Sequence, residues 1–219
     1  MIQSVEKKRS ERVFSIILTV LLFAFLALVF YVNLSCNPEY YDGDIYADIN
    51  YAKEAWKAKS LFSQDWVFGN QIYIVATPAL AALFCGLFGN AFTAMAAASC
   101  TMTLLIVLTY DWMMRTLFSY NERTAGFLLL IGALFLKAHL ATSQQGIQVF
   151  FTMASYYACY IITAFIVYGC YIRIRQRKFL KKHIPMAAIG IALSFATGMQ
   201  SLRQTTVMVL PIVVCEIAL

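Results

Sequence analysis

Charged residues are scarce in this chain. Only 13% of its 219 residues are Asp, Glu, Lys or Arg, whereas a soluble domain carries roughly 25%. Hydrophobic residues make up 61% and stand in long runs rather than in amphipathic stripes. This composition excludes an ordinary soluble domain and predicts a polytopic membrane protein. The net charge of +6 then reports membrane orientation, and we expect no nucleic-acid partner.

Metal-binding and redox motifs are also missing. The sequence has six cysteines and two histidines, without a C-x-x-C pair or a Cys/His spacing typical of zinc sites. Five of the cysteines stand in apolar runs, where free cysteine behaves as a small hydrophobic residue. Cys36 alone lies in a polar segment. We therefore predict no metal ligands among the cysteines.

Six apolar runs are predicted to cross the membrane. The first, residues 13–34, follows four basic residues and is longer than the core of a cleaved signal peptide. We interpret it as an uncleaved anchor with a cytoplasmic N-terminus. The other predicted spans are residues 91–118, 125–141, 149–172, 184–202 and 205–219. The last covers only about 22 Å, short of a ~30 Å hydrocarbon core, so we expect the chain to continue beyond Leu219, or a partner subunit to complete it.

A seventh apolar run, residues 71–88, is predicted not to cross. It is short and contains Thr77-Pro78 in its interior. If it crossed, the basic segment 173–182 would lie outside the cell, against the positive-inside rule. If it stays on the outer side, twelve of the 17 lysines and arginines lie in the cytoplasm. The prediction is an all-α integral membrane protein with an outer loop at residues 35–90, placed most readily in a plasma membrane.

The outer loop contains a segment with helical periodicity. Its apolar positions are Ile45, Ile49, Ala52 and Trp56. The polar positions beside them are Tyr46, Asn50, Lys53 and Lys57. This pattern predicts an amphipathic helix lying on the membrane surface. Together with the run at 71–88 it would form a helical cap on the outer face.

An acidic motif opens this helix and carries a family resemblance. Four of the 11 acidic residues fall between Glu39 and Asp48. Asp42-Gly43-Asp44-Ile45-Tyr46-Ala47-Asp48-Ile49 resembles the D-x-x-x-Y-A-(D/E)-I motif of membrane glycosyltransferases of the GT-C fold, which include the protein mannosyltransferase and aminoarabinose transferase families. Leu87-Phe88-Gly89 and Arg115-Thr116-Leu117-Phe118, followed by Asn121-Glu122-Arg123, stand where that family has similar residues. The resemblance covers most of the chain in order and spacing.

The resemblance implies a function and the residues that perform it. The implied reaction moves a sugar from a polyprenyl-phosphate-linked donor to an acceptor at the outer face of the cell envelope. Asp42 would be the general base that takes the proton of the acceptor hydroxyl. Asp44 competes for that role, although its position also suits a helix cap. Asp48, one turn further on, is interpreted as structural.

Three further residues are candidates for substrate binding, in addition to Tyr46 of the motif. Arg203 stands in an outer turn and could grip the donor phosphate with two hydrogen bonds, or anchor a lipid headgroup instead. Gln204 is next to it, and Gln200, which flanks it on the preceding turn, could share the site. His139 lies near the outer end of a predicted span, where it could line a cavity or reach the membrane surface. Asp111 is assigned to an i,i+4 pair with Arg115.

Two points stay open at this stage. Many relatives carry a second acid in the next outer loop, often tied to metal use, whereas residues 139–146 have no carboxylate. We therefore assign no certain cofactor and leave a divalent metal as an alternative that this loop does not support. The alternative function is a non-catalytic membrane protein, either an assembly subunit or a transporter fragment. Few charges lie inside the predicted spans, which favours the enzyme over a transporter.

Overall fold

The computed structural model describes residues 2–35, 41, 43–68, 72–141, 157–202 and 204–218. All regular secondary structure in these residues is helical. The helices are α1 (Ile2–Leu34), α2 (Gly43–Ala58), α3 (Thr77–Phe88), α4 (Ala91–Met114), α5 (Tyr120–Ala141), α6 (Ala158–Arg175), α7 (Ile184–Gln200) and α8 (Leu210–Ala218). A 3₁₀ turn (Lys181–His183) precedes α7, and a π-helical segment (Thr205–Val209) precedes α8.

The prediction of an all-helical membrane protein is confirmed in its coarse form. Within the described residues, three helical segments are long and apolar enough to cross a membrane: Arg9–Leu34, Ala91–Met114 and Ala158–Arg175. The count of about six spans stays a prediction. Residues 149–156 of the predicted fourth span lie outside the described part of the chain.

Several predicted boundaries differ from the observed ones. The span predicted at 91–118 ends as a helix at Met114, and α5 begins at Tyr120, five residues before the predicted span. Ser119 explains the early start, because its backbone N–H and its Oγ both donate to Glu122 Oε2, at 2.8 and 2.7 Å. This side-chain pairing at a helix N-terminus is half of a capping box.

The predicted run at 71–88 forms a helix of only 12 residues. Thr77-Pro78 begins α3 instead of interrupting it, because proline lacks an N–H that the first turn does not need. Gly89 ends α3 at φ 66°, with its N–H donated to Cys85 O. At 1.5 Å per residue α3 is about 18 Å long, too short to cross a ~30 Å core.

The helices α3 and α4 form a tight hairpin. Asn90 connects them and caps α4, since its Oδ1 accepts from Phe92 N at 2.9 Å. Cys85 belongs to the buried cluster that contains Ala94 and Ala98, while Leu80 packs against a second cluster further along α4. α3 therefore runs back along α4, and small residues on both helices allow the close approach.

The prediction that α2 lies on the membrane surface needs correction. Its apolar side packs on α3 and α4 rather than on lipid, and Ile45, Ile49 and Ala52 are at most 2% exposed. Lys53 and Lys57 on the predicted polar side are exposed. The helical periodicity was therefore right, but protein covers the apolar face except at Trp56, which is 37% exposed.

A buried tyrosine ties the rest of the loop to α2. Tyr51 is fully buried, and its hydroxyl lies 3.0 Å from Leu61 O and 3.3 Å from Tyr73 O. Its ring contacts those of Trp66 and Tyr73, at centroid distances of 5.5 and 4.7 Å. Burial and then the negative charge of Asp48 raise the pKa of Tyr51 to about 12. The cap therefore stabilises the neutral hydroxyl of Tyr51 over its ionised form.

Three other helices pack around the second half of α4. The cluster there joins residues of α1, α4, α5 and α6, including Val29, Ile106, Phe127 and Ile162. Ser15 Oγ lies 2.6 Å from Asn121 Oδ1, and Thr19 Oγ1 lies 2.7 Å from the Tyr120 hydroxyl, so α1 is joined to the start of α5.

Candidate functional site

The acidic motif lies at the start of α2. Asp44 stands in the first turn of the helix, where the helix dipole favours a negative charge. Its side chain is exposed and has no hydrogen-bond or ion-pair partner among the described residues. The next residue, Ile45, is buried, so the packing of α2 fixes the direction in which Asp44 projects. Asp42, the preferred base, lies outside the described residues.

Three aromatic rings cluster at the same end of α2. The ring of Tyr41 stacks on Phe92 with centroids 6.0 Å apart and an interplanar angle of 14°. Tyr46 meets both rings edge-on, at 5.7 Å from Tyr41 and 6.2 Å from Phe92. Such offset and edge-to-face pairs hold rings in fixed orientations. We call Tyr41, Tyr46 and Phe92 the ring cluster; it joins the start of α2 to the first turn of α4.

A sugar or a similar hydroxyl compound is a ligand that suits an acid and fixed rings at the same end of a helix. The face of an aromatic ring packs against the C–H side of a sugar, and tyrosine hydroxyls bond to its polar edge. A carboxylate within reach can accept a hydroxyl proton. The sequence identified Tyr46 through the motif, but it gave no sign that Phe92, 46 residues further on, belongs to the same group.

The two glutamines do not share one site. Gln200 is buried, and its Oε1 accepts from the backbone N–H groups of Ile74, at 2.9 Å, and Val75. Gln200 therefore fixes the chain just before α3 and is structural, which corrects its predicted role beside Arg203. Gln204 is 3% exposed and donates from Nε2 to Met208 Sδ at 3.3 Å.

Gln204 retains a free acceptor in a buried place. Its Oε1 has no hydrogen-bond partner within the described part of the chain. A buried amide oxygen without a partner costs about 1–3 kcal/mol, so it is a natural place for a ligand hydroxyl or a water. No described hydrogen bond links Gln204 to the ring cluster. Arg203 and the side chain of His139 lie outside the described residues.

Asp48 is buried, as expected of a structural residue. It is 1% exposed on the side of α2 that faces α3 and α4. After burial, the negative charge of Asp48 is the second factor that raises the pKa of Tyr51, one turn away. Asp48 therefore belongs to the interior of the cap, whereas Asp44 of the same motif is exposed.

Arginines occupy the other end of α4. Asp111 pairs with Arg115 as predicted, and it also binds Arg123 at the start of α5. Arg173 was predicted to lie in a basic loop, but it is in α6 and is 5% exposed. Its guanidinium donates to Trp112 O at 2.6 Å and to Gly169 O at 2.7 Å, and lies 3.9 Å from the centroid of the Trp112 ring.

The two ends are separated by the length of α4. The helix from Phe92 to Trp112 rises about 30 Å, the thickness of a hydrocarbon core. The acid and the ring cluster therefore lie one membrane thickness away from the arginines.

No metal site accompanies the acidic motif in the described residues. They contain no group of three or more His, Cys, Asp or Glu side chains that could hold a metal ion. Comparison with known proteins gives no relatives: no family model, no curated protein and no solved structure matches this chain.

Proposed function

We propose that this protein is an integral membrane glycosyltransferase of the GT-C type. It would move a sugar from a polyprenyl-phosphate-linked donor to an acceptor at the outer face of the plasma membrane. The observation that carries the proposal is the exposed Asp44 in the first turn of α2, with the ring cluster at the same end of this helix, at the end of α4 remote from the arginines.

The positions of the charges support the proposed orientation. Arg115, Arg123 and Arg173 mark one end of α4, and the positive-inside rule assigns such an end to the cytoplasm. The opposite end, with Asp44 and the ring cluster, then faces outward. The first half of α1 contacts the start of α5 at this arginine end, which supports the proposed cytoplasmic N-terminus. The count of about six spans remains part of the proposal.

Each candidate residue has a role in this reaction. Asp42 is the general base and Asp44 is its alternative, each able to take the proton of the acceptor hydroxyl as the sugar leaves its phosphate. Tyr46 and the other rings hold the sugar by one face. Arg203 binds the donor phosphate, and the free oxygen of Gln204 accepts a hydrogen bond from a hydroxyl. His139 is a further substrate-binding candidate.

The test is a transfer assay with the full chain in proteoliposomes. Polyprenyl-phosphate-linked mannose and glucose, each radiolabelled, are the donor probes, and membranes of the source cells supply the acceptor. We expect lipid-linked label to move to acceptor with the wild-type protein. Removal of a general base lowers rates about 10²–10⁴-fold, so Asp42→Asn or Asp44→Asn should abolish measurable transfer.

The matched control is Asp65→Asn, which removes an exposed acid from the same outer loop. We expect this variant to keep its activity at an equal membrane level. If Asp42→Asn, Asp44→Asn and the double variant all transfer like wild type, the base assignment is wrong. The non-catalytic alternative is favoured by a different pair of results. In that case neither the wild-type protein nor any variant transfers either sugar, and cells that lack the protein show an assembly defect.

A further inference from the structure

A cavity of about 210 Å³ lies at the arginine end of the bundle, between α1, α4 and α5. One part of its wall is charged, with Asp111, Arg115 and Arg123. The other part is apolar and includes Leu22, Leu108 and Phe127. This cavity is about one membrane thickness from the acidic motif, so it is separate from the site proposed above.

One carboxylate holds the two guanidinium groups in place. Arg115 Nη2 binds Asp111 Oδ2, and Arg123 Nε binds Asp111 Oδ1. The side chain of Arg123 is 13% exposed and its Nη1 also donates to Phe118 O at 3.3 Å. The tip of Arg115 is 64% exposed. Each guanidinium makes one contact with the shared carboxylate, so Asp111 holds both groups in place and leaves their other N–H groups unused.

The wall of the cavity carries a positive charge, because two guanidinium groups face one carboxylate there. Glu122 lies outside this wall, and hydrogen bonds from the hydroxyl and then the backbone N–H of Ser119 lower its pKa, so it stays ionised. The excess positive charge is therefore confined to the cavity wall, which favours an anion over a cation or a neutral headgroup.

The apolar wall indicates what kind of anion fits. Leu108 is 62% exposed on α4, a helix that is apolar enough to span a membrane. The apolar surface therefore continues from the cavity along α4. A ligand with a phosphate at the arginines and a hydrocarbon chain along Leu22 and Leu108 would satisfy both parts of the wall. A free phosphate ion would contact only the charged part of the wall. We propose that this cavity binds the phosphate of an anionic phospholipid in the leaflet at the arginine end.

The test compares lipid retention by purified full chain in native mass spectrometry. The probes are phosphatidylglycerol and phosphatidylcholine at equal concentration, with inorganic phosphate as competitor. One basic residue at a membrane surface changes lipid affinity about fivefold. We expect phosphatidylglycerol to be preferred, and Arg115→Gln to weaken its retention about fivefold. Because Arg115 is exposed, this variant should fold, which a single peak in size-exclusion chromatography would check.

The matched control is Lys181→Gln, which removes one exposed positive charge at the same end but outside the cavity. We expect it to retain phosphatidylglycerol like wild type. Equal losses in Arg115→Gln and Lys181→Gln would overturn the proposal, because they would show general attraction to a basic surface. Equal retention of the two lipids, or displacement of phosphatidylglycerol by millimolar inorganic phosphate, would overturn it as well.

Discussion

The packing of α4 on α6 makes a sharp prediction at Gly169. A Cβ atom placed on Gly169 would lie 2.1 Å from Trp112 Cζ3 and 2.6 Å from Cε3. Ordinary contacts between carbon atoms are about 3.5–4.0 Å, so the ring or the helix would have to move by more than 1 Å. Arg173 lies over the same ring, and a shift of Trp112 would disturb the arginine as well. We therefore expect Gly169→Ala to destabilise the protein.

The matched control is Gly198→Ala in α7, where an added Cβ would meet no atom within 4 Å. Both substitutions gain the helix propensity of alanine, worth about 1 kcal/mol. Only the first one adds overpacking, which costs about 1–3 kcal/mol. The difference in free energy of unfolding between the two variants should therefore be about 1–3 kcal/mol, with Gly198→Ala the more stable.

The assay is equilibrium unfolding in mixed micelles, with SDS as denaturant and tryptophan fluorescence as the signal. A second arm combines Gly169→Ala with Trp112→Leu, which removes the ring that the new methyl group would hit. In that background Gly169→Ala should no longer destabilise, because the two sites are coupled. Equal stabilities of the two alanine variants, or an unchanged cost in the Trp112→Leu background, would refute the close packing of α4 on α6.

Three further predictions concern the cap and the helix ends. The pKa of Tyr51 is raised to about 12 from an unfolded value near 10, so the free energy of unfolding should fall by about 2–3 kcal/mol as the pH rises from 10 to 12. In Tyr51→Phe, unfolding measured against pH should show a smaller loss. A loss parallel to that of the wild type would contradict the assignment. Gln200→Leu should leave the N–H groups of Ile74 and Val75 without their acceptor and destabilise the start of α3 by about 1–3 kcal/mol, with faster amide exchange there than in α6. Glu122→Gln should weaken the start of α5 at pH 7 and weaken it less at pH 3, because a carboxylate with a lowered pKa contributes stability only in the pH range where it is ionised. An equal effect at both pH values would argue against the charged hydrogen bonds from Ser119.

The sequence predicted those features that depend on local pattern. Long apolar runs predicted helices and a membrane class, and helical spacing placed Ile45, Ile49 and Ala52 on one buried side of α2. The i,i+4 pair of Asp111 with Arg115 also followed from spacing alone. Each of these needs only residues within about two turns of each other.

Contacts between distant helices could not be predicted in this way. Phe92 joins Tyr46 only because the α3–α4 hairpin brings the start of α4 under α2. Gln200 binds backbone groups more than 120 residues earlier in the chain, so it looked available for a ligand in the sequence. The sequence predicted that Arg173 begins a basic loop. Instead, the helix α6 continues to Arg175, and Arg173 contacts Trp112.

Accessibility labelling tests most directly the claim that the two ends of α4 face opposite sides of the membrane. Single cysteines replace Lys53, exposed on α2, or Lys181, exposed beyond α6, in a background without the native cysteines. Intact cells are treated with a membrane-impermeant maleimide before and after permeabilisation. The account predicts that Lys53→Cys is labelled in intact cells and Lys181→Cys only after permeabilisation. Labelling of Lys181→Cys from outside, or protection of Lys53→Cys, would place the acidic motif on the wrong side and contradict it.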